Sequence, residues 1–199
     1  MEQENIWDKI ANPWKVFRDE PFEGVVEFLK NKKGNILDLG CGSGRNFVKI
    51  EGKIYGVDFS KRIIEMARER AEDKGIDVEL LKSEVYELPF EDNFFDGAIF
   101  IAVIHCIDHE EKRREALKQL YRVLKKGAEA MITVWSRNEE RIKNKPKEAM
   151  IPWTVNGKKY MRYYYIYDKK EFEDLLKSVG FKIVSIKEDR NIVAIVKKI

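Results

Sequence analysis

Residues 35–44 read Asn-Ile-Leu-Asp-Leu-Gly-Cys-Gly-Ser-Gly, and they carry the most informative pattern in the sequence. Its apolar half predicts a short β-strand, and its glycine-rich half predicts a tight turn that opens a helix. Open α/β sheets bind ligands at such turns, because glycine lets a ligand approach the backbone. A tight strand–helix turn without a ligand is the alternative.

The spacing of the glycines indicates which ligand this turn would accept. Dinucleotide-binding folds show Gly-x-Gly-x-x-Gly, whereas residues 40–44 show Gly-x-Gly-x-Gly, with Asp38 two positions before the first glycine. A carboxylate at this point is awkward beside a pyrophosphate but would attract an ammonium group. The sequence therefore predicts a ligand that carries an ammonium group.

Strands and helices alternate along the rest of the chain. Ser60 and Gly75 predict the two ends of one helix, residues 110–126 form another that ends at Gly127, and Asp168 begins a third with a capping box. The predicted strands are residues 35–39, 53–57, 77–81, 97–104, 128–135, 181–187 and 191–197. This order predicts an α/β fold: a Rossmann-like, doubly wound, seven-stranded sheet, mostly parallel, with an antiparallel C-terminal hairpin.

Length and composition limit the classes of protein. The 199 residues predict a single domain, with residues 1–31 as an N-terminal helical cap. The longest apolar run, residues 98–104, is too short to span a membrane, and two cysteines are too few for a disulfide framework or a four-ligand zinc site. We therefore expect no metal and a cytoplasmic location, and the scarcity of glutamine favours a thermophilic source.

Residues 136–167 interrupt the alternation as an insertion that contains Trp153 and five tyrosines. Residues 137–170 carry ten basic residues against four acidic ones, more excess charge than the whole chain's net +3. Basic and aromatic side chains together suit RNA, since lysines and arginines bind phosphates while aromatic rings stack on bases. We expect this insertion to face the substrate. A solvated lysine-rich loop is the alternative.

Two further motifs point to a cofactor. Asp58 ends the second predicted strand, where a carboxylate can accept both hydroxyls of a ribose, although it could also simply begin the next helix. Residues 84–90 and then Asp96 follow in order, and together with the glycine loop they resemble class I S-adenosylmethionine-dependent methyltransferases over residues 36–196. The resemblance implies S-adenosylmethionine, with the methionine part at the glycine loop, the ribose at Asp58 and the adenine amine at Glu84, where the family usually has Asp. The residues implied at the cofactor are Asp38, Gly40, Cys41, Gly42, Gly44, Asp58, Phe59, Glu84, Val85 and Ile101.

A narrower resemblance concerns the substrate. The segments 101–105, 151–153 and 162–164, with Arg18 near the N-terminus, are similar to the tRNA wobble-uridine carboxymethyl methyltransferases, which esterify 5-carboxymethyluridine. The match has gaps, since the family's His-His is His105-Cys106 here and its Tyr-Tyr-His ends in tyrosine. The resemblance implies tRNA as the substrate and a small zinc-ribbon activator protein as a partner.

The chemistry agrees with this substrate. A carboxylate has a pKa near ~4, so it is already ionised at neutral pH and needs no general base. The site then needs arginines to hold carboxylate or phosphate and aromatic rings to stack on the base. The candidates for these catalytic roles are His105, Arg18, Arg113, Arg162 and Tyr163.

Each candidate has a plainer interpretation. His105 could be a hydrogen-bonded structural residue, Arg113 could lie on a solvated helix face, and the tyrosines could form a lid packed on the core. Two other functions also stay open. One is a small-molecule methyltransferase that acts on a quinone precursor or a metabolite carboxylate, and the other is a cofactor-binding module without catalysis.

Overall fold

The computed structural model describes residues 2–17 and 20–199, with side chains at residues 3–11 and 20–199. The helices are α1 (Glu2–Phe17), α2 (Val25–Leu29), α3 (Lys61–Lys74), α4 (Glu110–Val123) and α5 (Lys169–Val179). The strands are β1 (Lys33–Leu39), β2 (Glu51–Asp58), β3 (Val78–Lys82), β4 (Phe95–Ile101), β5 (Leu124–Trp135), β6 (Glu148–Val155), β7 (Lys158–Tyr165), β8 (Lys182–Glu188) and β9 (Asn191–Lys197).

Seven strands form one sheet in the order β3-β2-β1-β4-β5-β9-β8. The five strands from β3 to β5 pair in parallel, and β9 lies antiparallel to both β5 and β8. The predicted fold class is confirmed. Strands β2 and β3 are added on one side of β1, whereas β4 and β5 are added on the other side. This change in strand order opens a crevice at the carboxyl ends of β1 and β4, where open α/β sheets bind ligands.

The predicted helix boundaries depend on capping. The Ser60 hydroxyl accepts a hydrogen bond from the Ile63 amide at 3.1 Å, and Gly75 ends α3 in the left-handed conformation. Asp168 and Glu171 form the expected capping box at the start of α5. None of the helices in the described ranges is long and apolar enough to cross a membrane.

Two local predictions were wrong. The glycine loop does not open a helix: residues 42–46 form turns, because residues 40–50 are too few to complete a crossover of the usual dozen or more residues with a helix in it. Gly127 does not end a helix either. Helix α4 stops at Val123, and Leu124 at once begins β5 by pairing with Phe95.

The insertion at residues 136–167 contains a two-stranded antiparallel hairpin, β6–β7, separate from the main sheet. Its turn is Asn156-Gly157, and both residues have positive φ angles, 47° and 76°. That geometry belongs to the two-residue turns that asparagine and glycine favour in hairpins. The hairpin packs against α1 and against the residues that follow β4, so it lies beside the crevice.

Candidate cofactor site and its surroundings

A cavity of about 270 Å³ lies at the carboxyl ends of β1 to β4. Its wall consists of the glycine loop, the ends of β2 and β4, the residues after β3, and one face of α1. Eight of the ten predicted cofactor residues line it, namely Gly40, Cys41, Gly42, Asp58, Phe59, Glu84, Val85 and Ile101. Asp38 and Gly44 are not part of this lining; Asp38 immediately precedes the loop in β1.

Asp38 is an unusual carboxyl group because it is buried and both of its oxygens lack a hydrogen-bond partner among the described residues. Burial and the nearby negative charge of Asp58 together raise the pKa of Asp38 to about 8, and Arg45 opposes the shift. Buried polar groups are normally paired, so an unpaired one in a native fold calls for an explanation. A cationic ligand group at the glycine loop would satisfy it.

The glycines of the loop serve two different purposes. All three have positive φ angles, and a side chain at Gly40 would collide with Val103, while one at Gly44 would collide with Phe47. A Cβ at Gly42 would instead meet no atom within 4 Å, and Gly42 lines the cavity. Gly40 and Gly44 therefore allow the chain to pack, and Gly42 keeps space free for a ligand.

Asp58 both organises the loop and faces the cavity. Its two oxygens accept hydrogen bonds from the backbone amides of Gly42 and Ser60, each at 3.1 Å. Burial raises the pKa of Asp58 to about 6, although these amide hydrogen bonds lower it. The negative charge of Glu84 raises it as well, so two carboxyl groups share this wall. Such a pair can accept hydrogen bonds from ribose hydroxyls and from an exocyclic amine.

Cys41 packs as a small apolar residue. It is buried in a cluster with Phe47 and Ile54, and burial raises the pKa of its thiol well above the ordinary value. A thiol that stays protonated is a poor nucleophile. The side chain therefore fills space beside the cavity.

The comparison with known families matches this geometry. Residues 37–132, which run from β1 through most of β5, match a family described as a methyltransferase domain. The chain carries a class I methyltransferase domain. S-adenosylmethionine is its cofactor, and the unpaired Asp38 carboxyl, the open space at Gly42 and the carboxyls of Asp58 and Glu84 fit the ammonium group, ribose and adenine of that molecule.

Two curated relatives bear the same enzyme name. The chain is 36% identical over 155 residues to a tRNA (carboxymethyluridine(34)-5-O)-methyltransferase of Xenopus tropicalis, covering 76% of this chain and 24% of that protein. It is 27% identical to the enzyme of that name from Schizosaccharomyces pombe, covering 94% of this chain and 91% of that one. The chain therefore spans about a quarter of the first relative's length and nearly all of the second.

Solved structures show the same fold. A SAM-dependent methyltransferase from Methanosarcina mazei superposes with a TM-score of 0.73 at 21% identity, covering 90% of this chain and 99% of that one. A methyltransferase solved in complex with a methyltransferase activator from Haloferax volcanii gives 0.70 at 12% identity, covering 100% and 98%. At these identities the likeness concerns the fold alone.

When S-adenosylmethionine is bound, it supplies a methyl group on a positively charged sulfur. The residues that would hold its polar ends are Asp38 for the ammonium group, the backbone around Gly42 for the amino-acid part, and Asp58 and Glu84 for the ribose and the adenine. Both aspartates are buried, and hydrogen bonds made where water is excluded are stronger.

The predicted catalytic residues lie around the hairpin rather than in the cavity wall. Arg18 falls outside the described residues. His105 is buried, with its ring 5.5 Å from that of Trp135 and 5.3 Å from that of Tyr164. Its neighbour Cys106 lines the cavity, and His105 is not among the described lining residues. The catalytic role of His105 stays a prediction, and its contacts show that it supports the hairpin.

Arg162 occupies a buried aromatic cage. Its guanidinium donates to the Tyr164 hydroxyl at 2.6 Å and lies 5.1 Å from the ring centres of Trp153 and Tyr164 and 5.5 Å from that of Trp7. Cation–π contacts of this kind strengthen where water is excluded. Arg162 therefore joins β7, β6 and α1 into one unit above the cavity.

Arg113 and Tyr163 meet at the other side of the hairpin. The Arg113 guanidinium donates to the Ile107 carbonyl at 2.8 Å and to the Tyr163 hydroxyl at 3.3 Å, and it lies 4.1 Å from the ring centre of Tyr165. Burial raises the pKa of the Tyr163 hydroxyl. Since Ile107 lines the cavity, Arg113 fixes a piece of its wall from behind. Direct substrate contact by Arg113 or Tyr163 stays a prediction.

Several other side chains that line the cavity were not predicted, and they include Gln3, Glu4 and Trp7 of α1, together with Tyr86 and Lys112. The sequence held one usable signal, since Gln3 and Trp7 are four residues apart and therefore share a face of the first helix. The direction of that face depends on how α1 packs against α3 and the hairpin. The spacing of the two residues does not determine this direction.

The raised pKa of Asp38 predicts how stability depends on pH. Because the folded protein binds this proton more tightly than the unfolded chain, the cofactor-free protein should become less stable as pH rises from about 4 to about 8. Replacing Asp38 with Asn should flatten this decline, measured by thermal unfolding across that range. Saturating S-adenosylmethionine should reduce the decline in the unmodified protein. Equal slopes for the two proteins would contradict a buried, unpaired Asp38.

Proposed function

We propose that this domain transfers a methyl group to the carboxylate of 5-carboxymethyluridine at the wobble position of cytoplasmic tRNA. The observation that carries the proposal is the similarity to the Schizosaccharomyces pombe tRNA (carboxymethyluridine(34)-5-O)-methyltransferase, which extends over 94% of this chain. Both the core domain and the insertion fall within a match of that extent. Three features of the described residues support the proposal.

The first support is the lack of a histidine base in the described cavity wall. Neither histidine of the chain is among the lining residues. Methylation of an amine or a hydroxyl needs a group that removes a proton, whereas a carboxylate is ionised before it binds. The site therefore suits a nucleophile that is already an anion. Catalysis then depends on alignment, which can supply several kcal/mol of barrier reduction.

The second support is the outer surface of the hairpin. Met150 and Met161 expose 47% and 40% of their surface, on the face turned away from the buried cage. Lys158 and Lys159 lie at the tip of the same hairpin and form no ion pair with any described residue. Exposed apolar side chains beside free lysines offer a surface for unstacked bases and phosphates.

The third support is the free edge of the sheet at β3, which could bind the proposed partner protein. In the parallel ladder Ile54 donates to the carbonyl of Asp77, and Ser83 donates to that of Asp58. By the same alternation the amide of Val78 points away from β2, toward the outside of the sheet. We propose that a small zinc-ribbon activator adds a strand at this edge, by the mode in which extended segments join an open sheet.

The reaction itself gives the decisive test. Incubation with S-adenosylmethionine labelled in the methyl group should place label in total tRNA, and mild base should release it as methanol, because the product is an ester. In the transfer, a carboxylate oxygen bonds to the methyl carbon while the carbon–sulfur bond breaks and its electrons stay on sulfur. Label that resists base would point to a different nucleophile in the RNA. Label found only in a metabolite extract would favour a small-molecule methyltransferase. The absence of label from both the tRNA and the extract would favour a non-catalytic module.

The ion pairs of the insertion predict which lysines bind RNA. Lys143 pairs with Glu140 and Lys147 with Glu171, whereas Lys145, Lys158 and Lys159 are exposed and have no such partner in the described part of the chain. Changing the three free lysines to Gln should flatten the salt dependence of tRNA affinity, by about 0.7–0.9 in logarithmic slope for each phosphate that the protein no longer neutralises. Filter binding across a salt series measures this slope.

The matched control uses the paired lysines. Changing Lys143 and Lys147 to Gln also removes positive charge, but it frees acidic partners and should change the slope less. The same slope in both variants would mean that net charge, and not a defined lysine surface, attracts the RNA.

The edge of β3 gives a separate prediction for the activator. Replacing Val78 with Pro removes an amide that faces outward, at the first strand residue, where proline is tolerated. This variant should lose the stimulation of activity by the zinc-ribbon protein while its basal activity and melting temperature stay close to those of the parent. Val78→Thr keeps the amide and the branched shape, so it serves as the control. Full stimulation of the proline variant would exclude this edge as the docking site.

A further inference from the structure

Helix α1 contributes a wall to the cofactor cavity, and two of its side chains are suited to hold a base. Gln3 and Trp7 are separated by one helical turn, and both line the cavity together with the glycine loop and Cys106. Neither side chain carries a charge that could pair with the carboxyl groups of Asp38, Asp58 and Glu84. They therefore add a neutral wall to a site whose other polar groups are largely acidic.

Contacts from behind fix the orientation of both side chains. The amide oxygen of Gln3 accepts a hydrogen bond from the Tyr163 backbone at 3.3 Å, so the amide nitrogen is the opposite end of the group. That nitrogen has no hydrogen bond to any described residue. The indole of Trp7 packs against Ala11 and Ile63 on one side, and the Arg162 guanidinium lies 5.5 Å from its ring.

We propose that Gln3 and Trp7 form the wall of the substrate site that recognises the pyrimidine ring, with Trp7 stacking on the ring and the Gln3 amide donating to its C4 carbonyl oxygen. The inference rests on the proposed function, since it assumes that a uridine enters this cavity. It assigns recognition of the base to the N-terminal helix.

The chemistry of the base explains why an amide donor is useful here. A uracil ring presents an acceptor at C4, whereas a cytosine ring presents an amino donor at the same position. The substituent at C5, which carries the carboxylate, is next to C4, so a hydrogen bond at C4 also fixes the direction of that substituent. Gln3 would thus select uridine and orient the nucleophile at the same time.

The experiment compares two anticodon stem–loop RNAs, one with 5-carboxymethyluridine and one with 5-carboxymethylcytidine at the wobble position. The variant Gln3→Glu keeps the shape and the acceptor for Tyr163 but replaces the amide donor with a carboxylate. It should lower kcat/KM for the uridine RNA about tenfold or more, because a site built around a hydrogen bond discriminates strongly when that bond is removed. The preference for uridine over cytidine should shrink with it.

Trp7 is tested with a matched pair. Trp7→Leu should raise KM for the uridine RNA about tenfold, in line with the usual effect of removing a stacking ring, and Trp7→Phe should recover most of the affinity. Both variants and Gln3→Glu should keep the affinity for S-adenosylmethionine, measured by calorimetry. A purely structural role would instead weaken cofactor binding and lower the melting temperature, without changing the preference between bases.

The assay separates the two ideas. It uses the RNA that the parent protein methylates in the base-labile assay, so a failure of the proposed function shows as an inactive parent protein. An active parent whose preference for uridine is unchanged in Gln3→Glu, or whose KM is unchanged in Trp7→Leu, overturns this inference and leaves the proposed function intact.

Discussion

The short connection between β1 and β2 controls the geometry of the cofactor site. Only residues 40–50 join the two strands, and this length leaves turns where a longer crossover would hold a helix. The loop is instead tied to β2 by hydrogen bonds, from the Cys41 amide to the Val57 carbonyl at 2.9 Å and from the Gly42 amide to the Asp58 carboxyl. The acid at the end of β2 thus becomes part of the loop. Hydrogen bonds from the backbone amides of the loop hold it in this position.

A second constraint comes from the aromatic residues of the insertion. The rings of Trp135 and Tyr164 stack at 4.4 Å, His105 lies against both, and the Arg162 cage begins at the hydroxyl of Tyr164. This cluster attaches the hairpin to the carboxyl end of the sheet and attaches α1 to the hairpin through Trp7. Any distortion of β7 would therefore reach the cavity wall through α1. Positions that the sequence marks as catalytic can serve the site by holding its wall in place.

Sequence reasoning found the sheet because apolar runs and helix caps are local signals. The strands around the glycine loop, the Ser60 and Asp168 caps and the terminal hairpin all follow from residues adjacent in the chain. The missing helix after Gly44 was predictable in principle from loop length. The β6–β7 hairpin also left a readable signal, since Asn156-Gly157 is a strong turn dipeptide.

Side-chain placement was harder to predict. Arginine suits a carboxylate pocket and an aromatic cage equally well, so the residue type of Arg162 does not reveal which one it occupies. Trp7 and Gln3 line the cavity because α1 packs on the crevice, and this packing cannot be predicted from their spacing. Such assignments depend on contacts between distant segments, and the spacing of residues along the chain does not encode them.

The burial of Asp38 also affects the end of the catalytic cycle. The groups that it and Asp58 are suited to hold, an ammonium and a ribose, remain unchanged when a methyl group leaves the cofactor. Two carboxyls in these roles would bind cofactor and demethylated product about equally, and such uniform binding does not lower the barrier of the chemical step. The tighter this pocket becomes, the more slowly the spent cofactor departs. Stronger binding at Asp38 would therefore slow turnover. Because the pKa of Asp38 is raised, part of the binding energy for an ammonium group is spent on ionising this carboxyl at neutral pH.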